Sequence, residues 1–199
     1  QLTVRTVEQL IGVRVDHVAQ VDFEGFVGLT DQVGGVTITN PHASSSRGFS
    51  WPKGQVTLSG ASALAYVRQR YELPNGDLDR AARQRAVTKA LLQKLLSTDV
   101  LTNPARFSTV LDELGRYLTV DSGLTTQQIL TTASSMRLAS GDDIRSLQTP
   151  VRGLGTSKDG QSIVLANDTV MAELSAALRG GTMDAYWVAH RNDKLLPRG

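Results

Sequence analysis

Cysteine is absent from all 199 residues, which removes thiol catalysis, disulfides and Cys-based metal sites together. That absence fits a cytoplasmic or an exported protein equally well. Long apolar runs are missing too, and no stretch approaches the roughly 18 consecutive apolar residues a membrane helix needs. The chain opens on a polar, helix-like segment over residues 1–11 with no visible signal peptide. If the protein is anchored or exported, the part responsible lies outside this sequence. The three histidines, His17, His42 and His190, stand apart with no ligand-like spacing, which argues against zinc. There is no internal repeat and no low-complexity tract. Lysine is scarce: five of the 21 basic residues are Lys and the other 16 are Arg.

What remains is ordinary for a folded soluble chain, with 40% hydrophobic and 20% charged residues. The net charge of +2 is too small to make the whole molecule a polyanion binder. A GC-rich genome accounts for an excess of Arg without any function. Guanidinium forks also bind phosphate bidentately, where Lys acts as a point charge. Position along the chain has to separate the two accounts.

Apolar residues Val4, Val7, Leu10 and Ile11 predict a helix ending at Gly12. Alternation predicts a strand over 17–23, followed by a helix over 24–33, the Gly34-Gly35 turn and a strand over 36–39. Residues 40–54, rich in Ser, Gly and Pro, read as a surface loop with little to bury. Helices are predicted over 61–70 and 79–96, separated by a Pro74-Asn75-Gly76 turn, and again over 105–118, 125–138 and 168–178. Strands are predicted over 142–150 and 161–165. Strands alternating with helices indicate an α/β layered domain. A single domain is expected over 1–180, weakest at 98–104, with a tail over 181–199.

The segment that departs from background is 65–85, AYVRQRYELPNGDLDRAARQR. Arg68 and Arg70 leave one helix; Arg80, Arg83 and Gln84 share a face at the start of the next, by their i, i+3, i+4 spacing. A turn between the helices brings both groups toward the helix N-terminus at Asp77–Asp79, whose N–H groups and dipole favour an anion. Arginines gathered in this way need carboxylates or an anionic ligand, and a charge-assisted hydrogen bond is worth about 1.5–3 kcal/mol. A solvated, salt-bridged helix face is the competing account.

From about Thr6 to Leu96 the chain resembles the later part of the LytR-CpsA-Psr domain. The matching pieces, in order, are VDHVAQVDFEGFVGLTDQVGGVTI, GQVTLSGASALAYVRQR and NGDLDRAARQRAV. The resemblance implies an α-β-α sandwich with a central mixed sheet and an apolar channel for a polyprenyl chain. It implies a phosphotransferase that moves a glycopolymer from a polyprenyl-pyrophosphate carrier onto peptidoglycan, outside the cytoplasmic membrane. By the same resemblance Arg68, Arg70, Arg80 and Gln84 act on the lipid phosphates, with Arg83 supporting them. The family's opening strands, which carry its magnesium ligands and further arginines, have no counterpart here. Mg2+ ligands and a membrane anchor are accordingly expected outside this chain.

Arginine bias suggests an actinobacterial source and arabinogalactan as the glycan, with teichoic acid or capsule as equivalents elsewhere. A non-catalytic binder of polyprenyl-phosphate lipids or cell-wall glycan is the alternative. Nucleic acid is not an expected partner: the arginine cluster is compact, and no helix-turn-helix or RNP pattern accompanies it. Asp22 and Asp31 need not converge and read as structural, and Gly34-Gly35 reads as a helix cap. Ser44–Ser46 lacks a nucleophile elbow and reads as loop. Leu91, Leu92, Leu95 and Leu96 fit a core or a channel lining equally.

Overall fold

The computed structural model describes residues 2–95, 115–135 and 143–191, together with 103, 105, 108, 109 and 112. The helices predicted over 105–118 and beyond 135, and the end of the one over 79–96, fall partly outside these residues. Contacts group the chain into two compact units, residues 17–146 and residues 1–16 with 147 onward, where the sequence predicts one domain over 1–180.

The unit over 17–146 begins with β1 (Ala19–Gln20), which pairs antiparallel with β6 (Thr119–Val120). The predicted strand over 17–23 is cut to these two residues because Asp22 turns the chain. Its Oδ1 accepts a hydrogen bond from the Gly25 backbone N–H at 2.7 Å and caps α2 (Phe23–Gln32), satisfying a donor the helix leaves open. Asp121 closes the other side of this junction. It accepts N–H bonds from Val18, Gly123 and Leu124, and lies against His17. The Val18 bond, with lesser help from His17 and Gly123, holds its carboxyl below the ordinary aspartate value.

β2 (Val36–Asn40) and β5 (Gly54–Leu58) form an antiparallel pair, with Ile38 opposite Val56. Their inward residues Val36, Ile38, Val56 and Leu58 are buried under α3 (Gly60–Arg68) and α4 (Asp77–Leu95). The period of two is clear in both strands, although the sequence reading placed only the first. Between them, the predicted loop folds as a hairpin, β3 (Ser44–Ser46) against β4 (Phe49–Trp51). Its two-residue turn, Arg47-Gly48, has φ of 52° and 83°, the doubly positive pattern that suits the twist of a hairpin. The hairpin forms because it has something to bury. Trp51 is 4% exposed, packs edge-on to Tyr66 and donates its indole N–H to Ser62 Oγ at 3.1 Å.

The α/β class holds. Among the described residues the strands pair as four two-stranded antiparallel ladders, not as a central mixed sheet. Strands joined by turns and a hairpin run antiparallel; a parallel neighbour would need a crossover. Gly60 shows how closely α2 and α3 approach. Its φ is +50°, and a Cβ there would lie 2.8 Å from both Asp31 carboxylate oxygens. Its N–H donates to the fully buried Thr30 Oγ1 at 2.9 Å. Asp22 is thus a helix cap, and the Asp31 side chain lies against Gly60.

In the other unit, α1 (Leu2–Ile11) packs against α6 (Asp168–Gly180). Ser175 Oγ donates to the Ile11 carbonyl, and Arg179 donates to the Gly12 carbonyl at 3.0 Å. β7 (Val151–Thr156) and β8 (Ser162–Ala166) form a ribbon, so the strand predicted over 142–150 starts later. The expected tail contains α7 (Met183–His190), a helix that buries Tyr186 against Met171 and Leu174. In the larger unit, α5 (Thr126–Ser135) follows β6.

At the centre of the larger unit, Asn40 is fully buried. Its Nδ2 donates to the Trp51 and Pro52 carbonyls, and its Oδ1 accepts from the Tyr66 hydroxyl at 3.0 Å. Tyr66→Phe keeps the ring and strips Asn40 Oδ1 of its donor. The expected loss is about 1–3 kcal/mol, read as a lower urea midpoint at unchanged slope; an unchanged midpoint would contradict the bond's importance.

Candidate functional site

The arginine segment lies where α3 ends and α4 begins. Gln69 caps α3 in an extended conformation, φ −61° and ψ 129°. Neighbours of a residue in extended backbone project to the side opposite its own. Gln69 accordingly turns inward and is 6% exposed, while Arg68 and Arg70 on either side of it are exposed. The spacing R-x-R in this way leaves an exposed arginine on each side of the buried Gln69.

Three hydrogen bonds fix Gln69. Its Nε2 donates to the Ser45 carbonyl at 3.1 Å and the Tyr71 carbonyl at 3.2 Å, and its Oε1 accepts from Arg83 NH1 at 2.6 Å. From α4, Gln84 Nε2 donates to the Val67 carbonyl at 3.2 Å. These links bring the two helices together as the sequence predicts.

Arg83 takes a different place from the one expected. It is 4% exposed, so it does not share the exposed face with Arg80 and Gln84. Its NH2 donates to Ser44 Oγ at 2.7 Å, and its guanidinium stacks over the Tyr66 ring at 4.1 Å. The cause is rotation around the helix: Arg83 and Val87 lie at i and i+4 on the buried stripe, and both are buried. Burial lowers the Arg83 pKa, with Tyr66 and Asp79 acting in the opposite sense, and burial raises that of Tyr66. Arginine starts high enough to stay charged at neutral pH. Arg85, half-buried, is likewise lowered by burial.

The exposed members differ in their surroundings. Arg68 lies over the Phe23 ring at 4.3 Å, a contact that uses the guanidinium face and leaves its edge N–H groups outward. Arg80 NH2 is 2.5 Å from Asp77 Oδ1, a part-exposed pair of small energetic weight. The α4 N-terminus is less open to an anion than expected. Asp77 and Asp79 already place two carboxylates in its first turn, and Asp79 accepts from both the backbone and side-chain N–H groups of Asn75.

Among the described residues, no three acidic, histidine or cysteine side chains converge in a way that could hold a metal ion, and no metal-borne step is derived for this chain. Beside Phe23, Asp22, Glu24, Arg116 and Tyr117 contribute to a polar cleft of about 430 Å³. Leu91 and the part-buried Leu95 join the core, Leu92 is 38% exposed, and Leu96 lies outside the described residues. Sequence reasoning missed Gln69, Ser44 and Asn40. The signal for Gln69 was its i+3 spacing from the aromatic Tyr66; Ser44 was hidden by its loop-like composition.

The LytR_cpsA_psr family model matches residues 1–180. "Cell wall biosynthesis protein LcpA" of Corynebacterium glutamicum is 40% identical over 161 residues, covering 79% of this chain and 30% of that protein. "Polyisoprenyl-teichoic acid--peptidoglycan teichoic acid transferase TagU" of Bacillus licheniformis is 31% identical over 179 residues, covering 90% of this chain and 56% of that protein. The chain thus spans about a third to somewhat over half of these relatives. The crystal structure of B. subtilis TagV aligns with a TM-score of 0.76 at 22% identity, over 91% of this chain and 69% of that one. A structure of TagT bound to LI-WTA aligns with a TM-score of 0.62 at 23% identity, over 92% and 66%. Both carry the same fold.

The two glutamines give a differential check on the site's construction. Gln69→Leu leaves Arg83 and two carbonyls short of partners and is expected to cost about 1–3 kcal/mol. Gln84→Leu, on the exposed face, is expected to stay within about 0.5 kcal/mol. Equal losses in chemical denaturation would contradict the assignment of Gln69 as the buried anchor.

Proposed function

This chain belongs to the LytR-CpsA-Psr family, and we propose that it supplies the arginine side of a site gripping the pyrophosphate of a polyprenyl-linked glycopolymer during transfer to peptidoglycan. The observation that carries this reading is the inward Gln69 with Arg68 and Arg70 exposed on either side. Two exposed arginines flanking Gln69, with Arg80 on the adjoining helix, suit an anion carrying several oxygens in a row.

In the proposed reaction a peptidoglycan hydroxyl oxygen attacks the phosphorus bonded to the glycan. The new P–O bond forms as the bond to the bridging oxygen breaks, and polyprenyl phosphate leaves with that electron pair. The hydroxyl proton passes to a base outside this chain. Such transfers demand little covalent help, and positioning and charge stabilisation dominate. Arg68 and Arg70 present edge N–H groups to the phosphate oxygens. Arg80 exchanges part of its contact with Asp77 for the ligand, and Gln84 offers the second hydrogen of its amide. Magnesium, extracytoplasmic placement and a membrane anchor belong to this reading as features of residues beyond the chain. The arginine bias suggests an actinobacterial source, and with that source arabinogalactan as the glycan.

Calorimetric titration of the chain with geranyl pyrophosphate tests the proposal. Arg68→Ala, Arg70→Ala and Arg80→Ala are each expected to weaken binding about tenfold or more, in line with a lost charge-assisted bond. Affinity equal to that of the parent in all three variants would mean the cluster is only a solvated helix face.

A further inference from the structure

The buried Arg83 is the feature that the arginine surface does not explain. Resting on the proposed pyrophosphate site, we propose that Arg83 is a fixed cation beneath that site, strengthening anion binding through a charge that makes no direct ion pair, without touching the ligand.

Three observations support this. Every hydrogen-bond partner of Arg83 is neutral: Gln69 Oε1 at 2.6 Å and Ser44 Oγ at 2.7 Å. The face of its guanidinium meets the Tyr66 ring, not a carboxylate. Asp79 acts on it through space only, and its two oxygens accept from Asn75 without forming an ion pair with Arg83. A buried cation is normally paired with an acid, and leaving it unpaired costs stability. Its position converts that cost into field. Arg83 grips Gln69, the residue between the two exposed arginines, and lies three residues from Arg80 on α4. A charge in a poorly polarisable interior acts on a nearby anion more strongly than the same charge in water, and being already fixed it pays no ordering entropy when the ligand arrives.

Bracing alone would account for the same contacts, so the two roles must be separated by charge. Ser44 is half-buried, which leaves room for a slightly longer side chain facing Arg83. Ser44→Asp supplies the missing counter-charge, and Ser44→Asn has the same shape without it. The full chain is titrated with geranyl pyrophosphate and, separately, with inorganic pyrophosphate, and its melting temperature is recorded for each variant. Ser44→Asp is expected to hold or raise the melting temperature yet bind both probes about tenfold more weakly than Ser44→Asn. Should Ser44→Asp fail to fold, Arg83→Lys and Arg83→Met carry the test. Lysine keeps the charge but cannot fork to Gln69 and Ser44 together, so affinity should stay within about threefold of the parent, with methionine well below it. Equal affinity in Ser44→Asp and Ser44→Asn, or equal losses in the lysine and methionine variants, overturns the charge role. Parent binding that Arg68→Ala and Arg80→Ala leave untouched overturns the pyrophosphate reading itself, as does no binding by the parent.

Discussion

One buried guanidinium organises the larger unit. Arg83 needs acceptors for its fork, and it finds them on two elements distant in sequence, Ser44 on the hairpin and Gln69 at the end of α3. Satisfying it therefore fixes the hairpin, the end of α3 and the first turns of α4 in one arrangement. The neighbouring polar chain, Tyr66 to Asn40 to the Trp51 and Pro52 carbonyls, ties the same hairpin through its other strand. In an interior where an unpaired polar group is costly, these bonds act as a specification of geometry more than as a source of net stability.

The exposure of the two arginines is a by-product of that specification. Gln69 is drawn in, so Arg68 and Arg70 are pushed out, and no bond to either arginine is required to aim them. Arg68 is steadied further by Phe23 from α2, whose start is set by the Asp22 cap. A surface charge held in this way loses less freedom on binding than one on an untethered side chain.

Much of this was legible from residue spacing. The two helices over 61–95 with the turn between them, the paired arginines and the separateness of Asp22 and Asp31 all follow from periodicity and turn chemistry. Other features were not. The hairpin at 44–51 was obscured because three serines carry no hydrophobic alternation; its anchor is Trp51, whose burial depends on Tyr66 some distance along the chain. The strand over 17–23 looked longer than it is because alternation continues into Asp22 and Phe23, where the cap takes precedence over pairing. The i, i+3, i+4 spacing puts Arg83 on one face with Arg80 and Gln84, whereas the buried stripe it shares with Val87 places it inside. Composition likewise concealed α7, a short helix whose hold on the fold is Tyr186.

The smaller unit is assembled from the two ends of the described chain, α1 resting on α6 with the Ser175-to-Ile11 bond spanning 164 positions. α1 buries none of its own residues fully, so it has little to hold it before α6 exists. During synthesis the larger unit leaves the ribosome entire while α1 is still waiting for its partner. The order of assembly is thereby written into the connectivity: the arginine-bearing unit can close before α6 has been made to receive α1.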